Sequence, residues 1–246
     1  MTIEPSAFRS ELIRVFSENG LGSCLTDERA DALTAFAVRL VETNEKFNLT
    51  AVKTPDEIIL KHFADSAALV SRLPKTGTVL DVGCGAGFPS VVLAILCPAL
   101  ALTALDATEK KVRFVSDTAA SLGLSNLTAI TGRAEALAAP GSPYRESFSV
   151  VTARAVAALP TLAELCLPFV SVGGVFLAMK GQAAKSEAEA ASRAIPMLGG
   201  KLREIGTDVL SDGGEPIRHA VLTIDKIRKT PPEYPRAYAR ILKKPL

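Results

Sequence analysis

The chain has 246 residues, of which 48% are hydrophobic and 22% are charged, and its formal net charge is +2 at pH 7. This composition is typical of a globular chain with one domain, or one domain carrying an extension. The four cysteines lie far apart and include no C-x-x-C pair, which argues against a zinc ribbon or a disulfide framework and indicates the cytoplasm. Apolar runs are too short or too interrupted for a secretion signal or a bilayer span, so we expect no membrane contact.

Residues 1–75 are predicted to form a helical extension. Apolar residues recur at helical spacing from Phe8 to Phe16, and a second helix is expected over residues 27–46. The run Thr54-Pro55-Asp56-Glu57 predicts the start of a third helix, because threonine suits the N-cap and proline the first helical position. This third helix is expected to end near Pro74.

Residues 76–225 alternate short β-rich runs with helical stretches, which predicts βαβ units and a mostly parallel sheet. The expected strands are residues 78–82, 102–106, 127–131, 149–152, 175–179, 204–209 and 219–224, and the expected helices are residues 91–96, 110–122 and 183–198. The last two strands are joined by the turn sequence Ser211-Asp212-Gly213-Gly214, which predicts a hairpin that closes the sheet.

Residues 226–246 form a basic tail, with seven lysines and arginines against the single acid Glu233, a net charge of +6. The basic residues are Lys226, Arg228, Lys229, Arg236, Arg240, Lys243 and Lys244. Such a tail suits a phosphate-rich partner, because lysine and arginine displace condensed counterions from nucleic acid. A solvated, solubilising end is the alternative.

The strongest local motif runs from Asp81 to Phe88 and has the pattern D-x-G-x-G-x-G, after a predicted strand and before a predicted helix. A dinucleotide-binding loop would need glycine at position 88, where this chain has Phe88. The spacing instead resembles the first motif of S-adenosylmethionine methyltransferases, in which backbone amides and an acid such as Asp81 suit the amino-acid end of the cofactor. A purely structural turn is the alternative.

Two further segments support a nucleoside-containing cofactor. Asp106 ends the second strand, where its carboxylate can accept hydrogen bonds from ribose hydroxyls, although an aspartate at the start of a helix is also common. Gly132-Arg133-Ala134-Glu135 ends the third strand, where adenine contacts are expected. The sequence therefore predicts a class I S-adenosylmethionine methyltransferase fold, Rossmann-like, with a terminal hairpin and an N-terminal helical extension.

Several motifs in order resemble one family, the RsmG (GidB) methyltransferases of 16S ribosomal RNA. They are Phe47-Asn48-Leu49-Thr50, His62-Phe63-Ala64-Asp65-Ser66, the glycine loop through Pro89, Lys110-Lys111-Val112-Arg113-Phe114, Arg133-Ala134-Glu135, Ala153-Arg154-Ala155 and Met179-Lys180-Gly181-Gln182. The tail at residues 237–242 departs from the glycine-containing pattern usual in the family.

The resemblance implies methyl transfer from S-adenosylmethionine to N7 of one guanine in the decoding-region loop of 16S ribosomal RNA, with the small ribosomal subunit as partner. It also implies five cofactor-binding residues. The glycine motif adds Gly85 to them, and the ribose argument adds Asp106. The expected cofactor-binding residues are Gly83, Gly85, Phe88, Asp106, Ala134, Glu135 and Arg154. We expect no metal and a monomer.

The residues after the fourth strand agree with attack by N7. Guanine N7 has a free lone pair and no proton, so its methylation needs in-line positioning rather than a general base. Methyltransferases that modify amino groups usually carry a proline pair and an aromatic residue here, whereas this chain has Thr152-Ala153-Arg154-Ala155. Arg154 could brace the cofactor, bind RNA or form a salt bridge with Glu135, and Lys180 is either a phosphate ligand or a surface lysine.

Other functions are less well supported. His62, Asp65 and Ser66 include the residue types of a hydrolase triad, but they lie on one helix and the chain has no G-x-S-x-G turn. The alternatives that stay open are a methyltransferase acting on a different RNA, a protein or a small molecule, and a nucleic-acid-binding module that has lost activity.

Overall fold

The computed structural model describes residues 2–45, 48–52 and 54–246. Within them lies a seven-stranded sheet in the order β3-β2-β1-β4-β5-β7-β6, in which β7 runs antiparallel to β5 and β6 and the other pairs are parallel. The strands are β1 (Gly77–Val82), β2 (Leu100–Asp106), β3 (Leu127–Thr131), β4 (Phe148–Arg154), β5 (Val170–Lys180), β6 (Gly200–Leu210) and β7 (Ile217–Lys226). The predicted α/β fold, parallel sheet and terminal hairpin are confirmed.

Helices cover both faces of this sheet. They are α1 (Pro5–Glu18), α2 (Asp27–Asn44), α3 (Pro55–Ile58), α4 (Asp65–Ala67), α5 (Ser90–Leu96), α6 (Glu109–Ser121), α7 (Ala134–Leu137), α8 (Leu159–Cys166), α9 (Ala184–Ala190), α10 (Ala194–Met197) and α11 (Tyr238–Lys243). A π-helical turn, Ile59–Ala64, joins α3 to α4, and short 3-10 turns occupy Gly22–Cys24, Val70–Arg72 and Leu167–Phe169.

The N-terminal helices lie on one side of the sheet, where α2 and α4 pack against α5, the helix that contacts β2. The stripe of α1 predicted from its periodicity is buried, and the Thr54 side chain caps α3 by accepting a hydrogen bond from the amide of Glu57 (3.2 Å). Phe36 of α2 stacks on Phe63 (5.6 Å between ring centroids) and lies 5.2 Å from Phe88 in the glycine loop. The extension and the glycine loop therefore belong to one apolar core.

The opposite face is covered by α7 to α11, around α8. Nearly every residue of α8 is buried, including the polar residues Thr161 and Glu164, which lie three positions apart on one side of the helix. Here the structure differs from the predicted single helix over residues 183–198, which is divided into α9 and α10. Pro196 explains the break, because it has no amide to donate to the carbonyl of Ser192, four residues earlier.

The tail folds back onto this second face rather than extending into solvent. Lys226 is buried and donates a hydrogen bond to the carbonyl of Leu167 (2.7 Å), and burial lowers its pKa to about 8 although Glu146 lies 3.4 Å away. Arg236 forms an ion pair with the fully buried Glu164 (2.6 Å). Counting Lys226 and Arg236 among phosphate-facing charges is therefore wrong.

We predict that Arg236→Ala lowers the free energy of unfolding by about 3–5 kcal/mol, because it leaves the carboxylate of Glu164 buried without its cation. Urea unfolding followed by circular dichroism measures the change. Arg240→Ala, on an exposed residue of the same tail, is the matched control and should change stability by less than about 0.5 kcal/mol. Equal midpoints for the two variants would contradict the prediction.

Candidate functional site

A cavity of about 240 Å³ opens at the carboxyl ends of the parallel strands, and we name it the cofactor cavity. In an open α/β sheet this edge is where ligands bind. Its lining residues are Val82, Gly83, Leu105, Asp106, Ala107, Lys111, Gly132, Arg133, Ala134, Glu135, Ala155, Val156, Leu165 and Tyr238.

The glycine loop is fixed against the end of β2. The amides of Gly83 and Cys84 both donate to the carbonyl oxygen of Leu105, at 2.7 and 3.0 Å. Gly83 has a φ of +76°, and a Cβ at this position would lie 2.5 Å from the Val156 side chain. The close approach of the loop to the segment after β4 therefore requires glycine.

Asp106 is placed as the ribose argument expects, at the end of β2 in the cavity wall. Its Oδ2 accepts from the amide of Gly85 (3.0 Å) and its Oδ1 accepts from that of Thr108 (2.8 Å). Each carboxylate oxygen has a second lone pair, so Asp106 keeps acceptor capacity toward the cavity. Thr108, rather than Asp106, is the N-cap of α6.

The structure brings together some of the expected cofactor-binding residues and separates others. Gly83, Asp106, Ala134 and Glu135 line the cofactor cavity. Gly85 does not line this cavity, but its amide donates a hydrogen bond to Asp106, which does. Phe88 is buried in the aromatic core and also lies outside the lining.

Asp81 also lies outside the lining, beneath the glycine loop. Its two oxygens accept hydrogen bonds from the amide of Ser90 (3.2 Å) and the hydroxyl of Thr152 (3.3 Å). Burial raises the pKa of Asp81 to about 6, and the hydrogen bonds from Ser90 only partly offset it. Asp81 thus ties the loop to the start of α5 and to β4.

A second cavity of about 480 Å³ adjoins the first, with Ala155 in both walls, and we name it the adjoining cavity. It lies at the ends of β4 and β5 and the start of β7, under the π-helical turn. Its lining residues are Lys61, His62, Asp65, Arg154, Ala155, Met179, Lys180, Gly181, Glu187 and His219.

Arg154, at the end of β4, points into this adjoining cavity. Its guanidinium donates to Asp65 Oδ2 (2.8 Å) and to the carbonyl of Lys61 (2.9 Å). His219 Nδ1 lies 3.0 Å from the other oxygen of Asp65. Burial alone would raise the pKa of Asp65, but the hydrogen bonds and charges of His219 and Arg154 hold it below its ordinary value.

This network corrects one sequence alternative, the salt bridge between Arg154 and Glu135. Arg154 pairs with Asp65, whereas Glu135 pairs with its neighbour Arg133 at 3.3 Å. The physical reason is the extension, which inserts a buried carboxylate beside β4 that no local sequence spacing reveals.

His62 lies between Phe88 and Arg154. Its ring stacks on Phe88 with centroids 4.3 Å apart, and its Nδ1 lies 3.2 Å from an Arg154 nitrogen. Nδ1 also lies 3.2 Å from the carbonyl oxygen of Lys61, and Nε2 lies 2.9 Å from the hydroxyl oxygen of Thr50. Burial, reinforced by the charge of Arg154, lowers the pKa of His62 to about 4, so the ring is neutral at pH 7.

The hydrolase alternative fails on geometry. Ser66 is fully buried and its hydroxyl donates to the carbonyl of His62 (2.6 Å), so its Oγ is engaged by backbone rather than by an imidazole nitrogen. Asp65 faces Arg154 and His219. These residues join the extension to the sheet. Of the motif at residues 47–50, the structure describes Asn48, Leu49 and Thr50, and Phe47 lies outside the described residues.

The interpretation of Lys180 as a surface lysine is wrong, and that of a phosphate ligand stays a prediction. Its side chain is 8% exposed, and its Nζ forms an ion pair with Glu187 (2.7 Å) and donates to the carbonyl of Ala157 (2.5 Å). The adjacent helix α9 supplies the acid that neutralises it, so Lys180 is a buried, internally paired side chain in the cavity wall.

The sequence did not single out several lining residues, which are Lys61, Ala107, Val156, Leu165, Glu187, His219 and Tyr238. Lys111 belongs to a motif quoted above, but that motif did not indicate a place at a cavity. Leu165, His219 and Tyr238 come from α8, β7 and α11, which reach the strand ends only through the tertiary fold. No group of three metal-binding side chains and no helix able to cross a membrane occurs within residues 2–45, 48–52 and 54–246.

Solved structures show the same fold. TYW2 from P. horikoshii, in complex with MeSAdo, superposes with a TM-score of 0.52 at 12% identity, over 65% of this chain and 60% of that one. Geranyl diphosphate C-methyltransferase from Streptomyces coelicolor gives 0.50 at 15% identity, over 66% and 78%. With the glycine loop and Asp106 at the strand ends, this sheet is that of a class I S-adenosylmethionine methyltransferase.

Sequence relatives narrow the class to a family. The sequence model of GidB, rRNA small subunit methyltransferase G, matches residues 29–210, and the chain belongs to this family. Ribosomal RNA small subunit methyltransferase G of Lacticaseibacillus paracasei is 43% identical over 248 residues, 99% of each chain. The protein of the same name from Deinococcus radiodurans is 48% identical over 195 residues, 78% of this chain and 76% of that one.

We predict that His62 stays neutral until the pH falls to about 4, and that Arg154→Gln raises its pKa toward 6.5 by removing a nearby positive charge. The chain has two histidines, so imidazole NMR signals can be followed individually, and His62→Gln assigns them. A pKa of His62 unchanged by Arg154→Gln would show that the two side chains do not interact.

Asp81 should make stability depend on pH in a defined direction. Its folded pKa, about 6, lies above the ordinary aspartate value of 3.8, so the folded state holds the proton more tightly. The stability of the wild type relative to Asp81→Asn should be greatest below pH 3.8 and fall as the pH rises through 6, by about 3 kcal/mol. Urea unfolding of both proteins between pH 3.5 and 7.5 measures this. A constant difference would place the Asp81 carboxylate in a solvated environment.

Proposed function

We propose that this protein transfers a methyl group from S-adenosylmethionine to N7 of a guanine in the decoding-region loop of 16S ribosomal RNA. The observation that carries the proposal is the pair of adjoining cavities with Ala155 between them, one at the glycine loop and one beside Arg154. The family, described as rRNA small subunit methyltransferase G, supports the substrate. The resemblance of the motifs supports guanine N7.

The residues of the cofactor cavity fit S-adenosylmethionine, which supplies an electrophilic methyl group on a sulfonium sulfur. Asp106 offers carboxylate oxygens where two ribose hydroxyls can donate. Gly83 has no side chain, so the loop can lie close to Val156 in the wall of the cavity. We propose Gly83, Asp106, Ala134 and Glu135 as residues that touch the cofactor, with Gly85 and Phe88 holding the glycine loop in place.

The adjoining cavity suits a nucleophile that needs no deprotonation. Its two carboxylates are both engaged, Asp65 by Arg154 and His219, and Glu187 by Lys180 and the amide of Leu159 (2.8 Å). A carboxylate held by cations is a poor general base, which favours a ring nitrogen with a free lone pair over an exocyclic amine. The remaining requirement is to hold the base in line with the methyl group.

We propose Arg154 as the side chain that positions the target base. It is 16% exposed and held in one orientation by Asp65 and the carbonyl of Lys61, and it lies in the wall of the adjoining cavity rather than of the cofactor cavity. A rigid guanidinium can donate to guanine O6 or stack on the purine ring. The family resemblance assigns Arg154 to the cofactor instead, and the second experiment below separates the two roles.

The surface around the cofactor cavity supports an RNA partner. Lys111 and Arg133 line its mouth, and Arg240, Lys243 and Lys244 are exposed on the tail that reaches the same cavity. We propose three functional segments: a helical extension (residues 1–75), a methyltransferase domain (76–225) and a basic C-terminal tail (226–246). A cytoplasmic monomer acting on the small ribosomal subunit accords with this assignment.

The direct test is transfer of labelled methyl from S-adenosylmethionine to small-subunit particles that lack the modification, followed by nuclease mapping of the label. We expect label at a single N7-methylguanine in the decoding-region loop. Label on another RNA, on a protein or on a small molecule would replace the substrate assignment. Cofactor binding without transfer to any of them would indicate a binding module.

Arg154 is tested with a double variant, Arg154→Gln with Asp65→Asn, which removes both members of the buried ion pair so that no charge is left unpaired. We expect kcat/KM for the ribosomal particle to fall about a hundredfold through mispositioning of the base, while the affinity for S-adenosylhomocysteine stays within about twofold. Isothermal titration measures that affinity, and Asp65→Asn alone is the control. Weakened cofactor affinity would instead support the cofactor role.

A further inference from the structure

The C-terminal tail reaches the cofactor cavity although it lies beyond residue 210, where the match to the family's sequence model ends. After β7 the chain crosses the second face of the sheet and enters α11, whose first residue, Tyr238, lies in the cavity wall. The tail therefore contributes to a site whose other lining residues end at Leu165 in the chain.

The path of the tail is fixed by buried polar contacts. Arg145 donates to the carbonyl oxygens of Thr230, Pro231 and Tyr234, at 2.9, 3.2 and 2.8 Å. Arg236 lies on the fully buried Glu164, two residues before Tyr238. Ile241, one turn of helix after Tyr238, is itself fully buried. Tyr238 is thus held between two anchored positions.

Tyr238 contacts Arg133 in the cavity wall. The guanidinium carbon of Arg133 lies 4.5 Å from the centre of its ring, a cation–π contact, and both side chains line the cavity. Arg133 follows β3 and precedes Ala134 and Glu135 in the same wall. The aromatic ring and the guanidinium therefore lie at the β3 end of the cofactor cavity.

The strand order shows which part of the cofactor reaches that end. The adjoining cavity lies at β4 and β5, and β3 is three strand positions from β4. At about 4.8 Å per strand, this separation is about 14 Å. S-adenosylmethionine carries its methyl group on a central sulfur, between a methionine arm and an adenosine arm. Asp106, the proposed ribose ligand, ends β2, and β3 is the neighbour of β2 on the side away from β4. The adenine attached to that ribose therefore falls beside Arg133 and Tyr238.

We propose that Tyr238 and Arg133 form an adenine-contacting surface of the cofactor site, with the tyrosine supplied by the C-terminal tail. This inference rests on the proposed function. Purine rings commonly stack on aromatic side chains and on planar guanidinium groups. Such stacking is lost when the aromatic side chain is removed. Tyr238 acts as a cofactor-binding residue and takes no part in the transfer itself.

Binding to the full chain without RNA tests this proposal. The probes are S-adenosylhomocysteine and 5′-methylthioadenosine, which lacks the amino-acid end but keeps the adenine. Tyr238→Leu, which removes the ring but keeps an apolar side chain, should weaken both probes about tenfold and to the same degree. Tyr238→Phe should bind within about twofold of the wild type. Arg133→Ala should weaken both probes by a smaller factor.

Leu242→Ala is the matched control, because Leu242 is exposed on the same short helix and does not line the cavity. Thermal unfolding shows whether each variant keeps its fold, and Tyr238→Phe carries the test if Tyr238→Leu does not. Loss of affinity in Tyr238→Phe, unchanged affinity in a folded Tyr238→Leu, or weakening of S-adenosylhomocysteine alone would overturn the proposal. A wild-type chain that binds neither probe would instead refute the proposed function.

Discussion

A carboxylate that is almost completely buried joins the separate parts of this molecule. Asp65 is 4% exposed and belongs to the N-terminal extension, yet its partners are Arg154 at the end of β4 and His219 at the start of β7. Without both partners the cost of burying its charge would be several kcal/mol. The extension is therefore held at one position over the strand ends, and the adjoining cavity has its shape because of that position.

The consequences extend to the glycine loop. Arg154, held by Asp65, lies 3.2 Å from the His62 ring, and that ring stacks on Phe88 in the loop. The π-helical turn that contains His62 also exposes the carbonyl of Lys61 toward Arg154. Such turns are often found at functional sites. One ion pair thus sets the relation between the cofactor cavity and the cavity beside it.

Much of the fold could be predicted from sequence, because periodicity and turn residues reflect local physics. The seven strands and the hairpin follow from alternation and from Ser211-Asp212-Gly213-Gly214, and Thr54 signals its helix through capping. Helix α8 was missed: Thr161 and Glu164 mark one side of it, but both are buried, so the polar side of this helix does not face solvent. The full length of β5 was missed because Gly173 and Gly174 interrupt it, and Gly173 has a φ of +89°.

For the site, the sequence predicted the position of some residues but not the partners of others. Gly83 and Asp106 could be placed from the sequence because strand-end motifs report their own position, whereas Arg154 and Lys180 could be located but not assigned partners. Their partners, Asp65 and Glu187, lie on other elements, and ion pairs between elements leave no periodic trace. The inward-facing members of the basic tail were missed for the same reason, since Glu164 is the acid that redirects Arg236.

Ala155 lines both cavities, and its backbone adopts a φ of +55°, which residues with a Cβ rarely do. Alanine extends a single carbon atom beyond the backbone. A longer side chain at this position would take space from one cavity or the other. The small residue therefore leaves both spaces unfilled along their shared border.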